Sequence, residues 1–171
     1  MKGFVRGLIW FLVFVAILVG VYFVLPEYPQ SVVKSVIQPM VDTTAEVRIS
    51  QVQSMLNEDL GGVTYKAILE AQTKNPCWVY SLDEMTGVET VTFYGRGVSI
   101  NLKDYEEYQG KLSTSAMIKM EFVITGQQVD IHPYVDGVKM ELDQSTHMQE
   151  NKQIRLEILS QLYTGKGVLE Q

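Results

Sequence analysis

AMIKMEFVITGQQVDIHPYVDGVKMELD, running from Ala116 to Asp143, alternates apolar and polar residues and is interrupted twice by glycine. Asp136-Gly137 suits the type I′ turn of a tight hairpin, and Gly126-Gln127 suits a type II′ turn. The first turn pairs Val135 with Val138, Ile131 with Leu142 and His132 with Glu141. The second pairs Ile124 with Val129, Phe122 with Ile131 and Glu121 with His132. The two registers agree. One face collects Ile118, Met120, Phe122, Ile124, Val129, Ile131, Val135, Val138, Met140 and Leu142. The other carries Lys119, Glu121, Asp130, His132, Tyr134, Lys139, Glu141 and Asp143. A slip of one residue would invert the whole set, so the apolar face fixes a three-stranded meander with core on one side and water on the other. Pro133 objects. It cannot donate to a ladder, so the strand must bend there or lose a partner on one side.

Upstream, Trp78, Tyr80 and Leu82 alternate with Cys77, Val79 and Ser81, and Val88–Tyr94 is rich in β-branched and aromatic residues. The apolar parity is odd at Val91 and Phe93 and even at Val98 and Ile100. A bulge or turn supported by Gly95-Arg96-Gly97 accounts for the slip. Helices are expected from about Ala45 to Asp59, after a Thr43/Glu46 capping box, and from Thr64 to Lys74. A closing helix follows a Thr146/Gln149 box, presents Ile154, Leu156, Ile158, Leu159, Leu162 and Tyr163, and stops at Gly165. The class is therefore α+β, a mostly antiparallel sheet packed in two layers against helices.

The other strong signal is Leu8–Leu25, LIWFLVFVAILVGVYFVL, which has no charge. At about 1.5 Å of rise per residue it matches a bilayer's hydrocarbon thickness, so residues 8–25 read as a single transmembrane anchor. It exceeds the h-region of a cleaved signal peptide, and no A-x-A-like site follows. Trp10 lies near one end, and Tyr22, Phe23 and Tyr28 near the other, as interfacial aromatics do. Lys2 and Arg6 precede the run, and only Lys34 occurs in the twenty residues after it. The positive-inside rule then leaves residues 1–7 cytoplasmic and exports the rest. Residues 26–41 read as a juxtamembrane connector, 42–164 as an extracytoplasmic α+β domain, and 165–171 as a tail.

The chain has 171 residues, 14 Lys+Arg, 20 Asp+Glu and one Cys. That length suits one domain. One cysteine excludes an internal disulfide framework and a Cys-based zinc cluster. The acidic balance argues against a nucleic-acid partner. No N-x-[ST] acceptor with a permitted middle residue occurs, which is compatible with a bacterial envelope protein.

Candidate chemistry centres on the meander's polar face. His132 falls between Glu121 and Glu141, and Asp130 faces Asp143, so a divalent cation would relieve the opposed charges. A solvated face with interleaved Lys119 and Lys139 is the plainer reading. Ser31-Val-Val-Lys34 has S-x-x-K spacing, but neither S-D-N nor K-T-G follows. Cys77 begins an alternating strand, which favours burial over nucleophilic use. Asp104, Glu106 and Glu107 form an acidic loop segment whose adjacent carboxylates favour solvation over glycoside chemistry. No cofactor and no enzymatic activity are expected. The leading expectation is a scaffold, assembly or accessory subunit. It would contact the bilayer through residues 8–25 and bind other membrane or envelope proteins. A ligand- or ion-binding sensory module comes second, and a small membrane-tethered hydrolase third.

Overall fold

The computed structural model describes residues 2–102, 112–142 and 146–166. Helix α1 spans Lys2–Val24, and Gly7–Val24 within it is long and apolar enough to cross a membrane, with none of that stretch buried. Pro26 caps the next helix, α2, Glu27–Val41. The break falls where a proline removes a backbone donor and disfavours helix in the residue before it. Pro29 sits in the first turn of α2, where its missing N–H would have had no partner in any case. The helix also continues past Pro39 to Val41, so the connector of residues 26–41 is helical almost throughout.

Helix α3 is Thr43–Ser54, and its cap is Asp42 rather than Thr43, with the Asp42 carboxylate accepting from Ala45 N at 3.1 Å. It stops five residues before the expected Asp59. Leu56–Asn57 instead forms β1, paired with β2, Val63–Thr64, across a single 3₁₀ turn at Glu58–Leu60. The Asn57 side chain closes that turn by accepting from Leu60 N at 2.9 Å, a local bond that competes with helix continuation. Leu56 is consequently exposed. Helix α4 is Tyr65–Glu70, capped by Thr64 and shorter than expected, and Ala71 lies outside the core.

Five strands follow in chain order: β3 Lys74–Leu82, β4 Glu89–Asn101, β5 Leu112–Thr125, β6 Gln128–Val135 and β7 Val138–Lys139. They form one antiparallel sheet ordered β3-β4-β5-β6-β7. The register of β5 with β6 is the expected one, with Glu121 opposite His132, Phe122 opposite Ile131 and Ile124 opposite Val129. The parity slip in β4 is a bulge between Arg96 and Ile100, with Gly97 at φ +77°. Pro133 has the anticipated consequence. The pairing of β6 with β7 covers only Tyr134↔Lys139 and Val135↔Val138. Met140 N still donates to Pro133 O at 2.8 Å, but Leu142 turns away to pair with Asn151.

Helix α5, Met148–Thr164, begins at His147 without the expected side-chain cap and ends at Gly165. The core lies between one sheet face and α3, α4 and α5. It contains Val52, Ile68, Leu69, Val91, Phe93, Ile118, Met120, Phe122, Ile158 and Leu162. Glu157, Ser160 and Gln161 are also buried, whereas Tyr163 is exposed. Three helix-borne amides each clasp the N–H and C=O of one residue on a strand or at its end. Gln38 holds Tyr80 at 2.9 and 2.8 Å, Gln161 holds Asn101 at 2.7 and 2.7 Å, and Asn151 holds Leu142 at 2.7 and 3.1 Å. The Gln38 clasp occupies backbone groups on the outer edge of β3, which would otherwise invite another strand.

Candidate functional site

The sheet face opposite the core is not left to water. Register aligns three rows on it: Cys77–Tyr94–Lys119, Val79–Thr92–Glu121 and Ser81–Thr90–Val123. Helix α2 lies over these rows and packs against β3. Its polar residues Glu27, Gln30, Ser31, Lys34 and Gln38 recur three and four apart, which puts them on one helix face. Four of them line a cleft against the sheet, and Gln38 reaches the edge of β3.

One end of this interface is a closed polar network. Tyr94 donates to Glu27 Oε1 at 2.6 Å, and Lys119 Nζ lies 2.9 Å from the same oxygen. Lys119 also bridges to Glu121 Oε1 at 3.0 Å, while Tyr134 donates to Glu121 Oε2 at 2.8 Å. The Lys119 ammonium stands 4.9 Å above the Tyr134 ring, and Arg96 stands 5.1 Å above Tyr28. Tyr28 in turn donates to Asn75 O at 3.0 Å. The hydrogen bond from Tyr94, aided by Lys119, holds the Glu27 carboxyl below its ordinary value. Burial and the Glu121 carboxylate push the Tyr134 hydroxyl up to about 12. Burial pulls Lys119 down, but its two carboxylate partners outweigh that and raise it.

The sign of the Glu27 shift fixes a pH dependence. A carboxyl depressed in the folded state adds stability above its unfolded pKa and loses it as pH falls through the folded value. Glu27 is largely exposed, so solvent screens the effect and its size is small. Tyr94→Phe should therefore move the Glu27 titration midpoint upward, as read by carboxyl NMR. An unmoved midpoint would mean that Tyr94 does not hold Glu27.

The same network borders an open cleft of about 350 Å³ between α2 and the sheet, lined in part by Glu27, Tyr94, Glu121 and, from near the end of α1, Tyr22. Its walls carry Lys34, Ser81, Thr90 and Thr92. Thr92 is only 6% exposed. Burial lowers the pKa of Lys34, and Asp42 opposes that from a distance. Among the described residues, these four side chains have no hydrogen-bond or ion-pair partner. The sequence contained two signals for this cavity: the polar stripe of α2, and the hydroxyls of opposite parity to Trp78, Tyr80, Val91 and Phe93. Residues 26–41 read as a connector conceal both, because the stripe has meaning only against a sheet.

The meander residues are distributed differently from the symmetrical set that the register suggests. His132 Nδ1 lies 2.8 and 2.9 Å from the Glu141 carboxylate oxygens, and Lys139 lies 2.9 Å from Glu141. Glu121 turns instead to Lys119 and Tyr134. Asp130, His132 and Glu141 border a groove of about 410 Å³ between β6 and α5, together with Lys152 and Arg155. Among the described residues, no three His, Cys, Asp or Glu side chains converge in a metal-holding group. Asp143 lies outside the described residues, as do Asp104, Glu106 and Glu107.

Cys77 is buried beside Val79, Tyr94 and Tyr28, and burial pushes its thiol up to about 11, far from a thiolate nucleophile at neutral pH. The Ser31 hydroxyl donates to Glu27 O at 2.9 Å within α2. Comparison with protein-family models, curated proteins and solved structures finds no match for the chain.

Proposed function

We propose that the protein is a single-pass membrane-anchored scaffold or accessory subunit, with an extracytoplasmic α+β domain that docks onto other membrane or envelope proteins. The observation that carries this reading is the outward face of α2. Val32, Val33, Val36, Ile37, Met40 and Val41 are all exposed, from 36% to 79%. They recur at helical spacing on the side away from the sheet, so α2 is fastened by its polar face and offers its apolar one. A contiguous apolar stripe of this kind on a folded domain favours an interaction surface. Its position one break after α1 favours a partner that is itself at the membrane.

Two measurements test the reading. A reporter active only outside the cytoplasm, fused after Gln171, should be active, since Lys2 and Arg6 bias the preceding flank inward. Activity confined to a cytoplasmic reporter overturns the orientation. A photo-crosslinking amino acid at Ile37 should give a discrete protein adduct in native membranes. The same probe at exposed Lys66 on α4 should not. Adducts to lipid alone at Ile37 overturn the scaffold reading.

A further inference from the structure

We propose that α2 is a releasable strap: it lifts from the outer face of the sheet while the core stays folded, and lifting uncovers the edge of β3 and the patch around Cys77. The way α2 is held carries this inference. Ser31 is its one buried residue, and the Ser31 hydroxyl bonds to Glu27 O inside the helix itself. Among the described residues, none from α2 enters the main core, whereas α3 contributes Ala45, Ile49 and Val52, and α5 contributes Ile154, Ile158, Leu159 and Leu162. The apolar residues of α2 from Val32 to Val41 stay exposed in the docked position, so burial of their surface does not hold it there.

Two sets of contacts fasten the helix. Near its start, Glu27 takes Tyr94 and Lys119, while Tyr28 donates to Asn75 O and packs against Cys77, Val79 and Tyr94. Near its end, the Gln38 amide holds the N–H and C=O of Tyr80. Each such contact contributes little net stability, because water replaces it on release and the Glu27 carboxylate is already largely exposed. Release uncovers only the small cluster of Cys77, Val79 and Tyr94. A segment with so few buried apolar contacts opens at a lower free energy than the whole domain unfolds. Pro26 before α2 and Asp42 after it are both non-helical, so dihedral changes at these two residues move α2 without unwinding α1 or α3.

Cys77 reports the motion, since it is the one thiol in the chain and is only 5% exposed, with Tyr28 packed against its cluster. The full chain in mild detergent is labelled with excess dithionitrobenzoate at low urea concentrations. The labelling rate should barely depend on urea, because that dependence scales with the surface exposed on opening. Gln38→Ala should speed labelling about tenfold, the scale of its lost bonds to Tyr80. Glu27→Gln should speed it roughly threefold, since its ion pair is screened by solvent. Ile131→Ala is the control: it lowers the global unfolding midpoint but should leave labelling without urea unchanged, because its contacts persist when α2 lifts. The inference is overturned if labelling follows the urea dependence of global unfolding and Ile131→Ala speeds it in step with the lost stability. It is equally overturned if Gln38→Ala and Glu27→Gln leave the rate unchanged. If Gln38→Ala does not fold, Glu27→Gln and Ile131→Ala decide by the same readout. The measurement uses the isolated chain, so its outcome is separate from that of the photo-crosslinking at Ile37 in native membranes.

Discussion

Phe122→Ala should destabilise the domain by about 3–5 kcal/mol, the range for removing a large side chain from a core that relaxes only in part. Phe122 is fully buried near the C-terminal end of β5. Its ring meets Tyr65 edge-on at 5.2 Å and Trp78 at 6.0 Å, so it joins the sheet to α4 and to β3 at once. Truncation removes both aromatic contacts as well as the buried area, which places the cost toward the upper end. Urea unfolding of the full chain in mild detergent, followed by near-ultraviolet circular dichroism, measures it. Ile131→Ala, at the opposing position of β6, should cost less, at about 2–3 kcal/mol. Ile131 retains 9% exposure at the thinning edge of the sheet. An unchanged midpoint for Phe122→Ala would mean that this face of β5 is not the core.

Gly95→Ala should cost about 1–3 kcal/mol, although it adds a single methyl group and fills no cavity. Gly95 lies on the core side of β4, opposite Ile118. An added Cβ would sit 2.7 Å from Thr73 Cβ and Cγ2 and 2.9 Å from Phe93 Cζ. Neither neighbour can yield. Thr73 is fixed by its hydroxyl, which donates to Leu69 O at 2.7 Å, and Phe93 is fully buried. Glycine is thus required here by the approach of the segment after α4, not by backbone dihedrals. The reference is Gly137→Ala at the hairpin turn, where φ is +79° and no atom crowds the added methyl. Its cost there is backbone strain alone. If Gly95→Ala is neutral, α4 does not close on β4 as tightly as described.

Much of the sheet was legible because period-two alternation and turn chemistry are local. Asp136-Gly137 and Gly126-Gln127 set two registers independently, and an apolar face admits only one of each pair of alternatives. The β4 bulge was legible for the same reason: a change of parity requires an extra residue somewhere near Gly97. Helix limits were less accessible. Asp42 rather than Thr43 caps α3, and Asn57 ends the helical region early, because either residue of such a pair can bond the free backbone and only packing selects one. The candidate site divides in the same way. His132 and Glu141 were legible as neighbours. The choice of Glu121 for Lys119 and Tyr134 depends on Glu27, which arrives from a helix some ninety residues away in sequence.

The sequence alone determined the apolar span of α1, the α+β class, a mostly antiparallel sheet and which side of β5 and β6 is buried. Each of these follows from patterns repeating within a few residues, where backbone geometry maps spacing directly onto a face. The tertiary structure alone decided that α2 lies on the outer face of the sheet, and with it the outward apolar stripe of α2 and the cleft beneath it. Turning Glu27, Ser31, Lys34 and Gln38 toward the sheet leaves Val36, Ile37 and Met40 outward, with an open cleft between helix and sheet. A polar stripe and an apolar stripe on one helix are equally compatible with the reverse docking. The outer face of the sheet favours the observed docking, since Tyr94 and Lys119 pair with Glu27 of the polar stripe and would find no such partner on an apolar one.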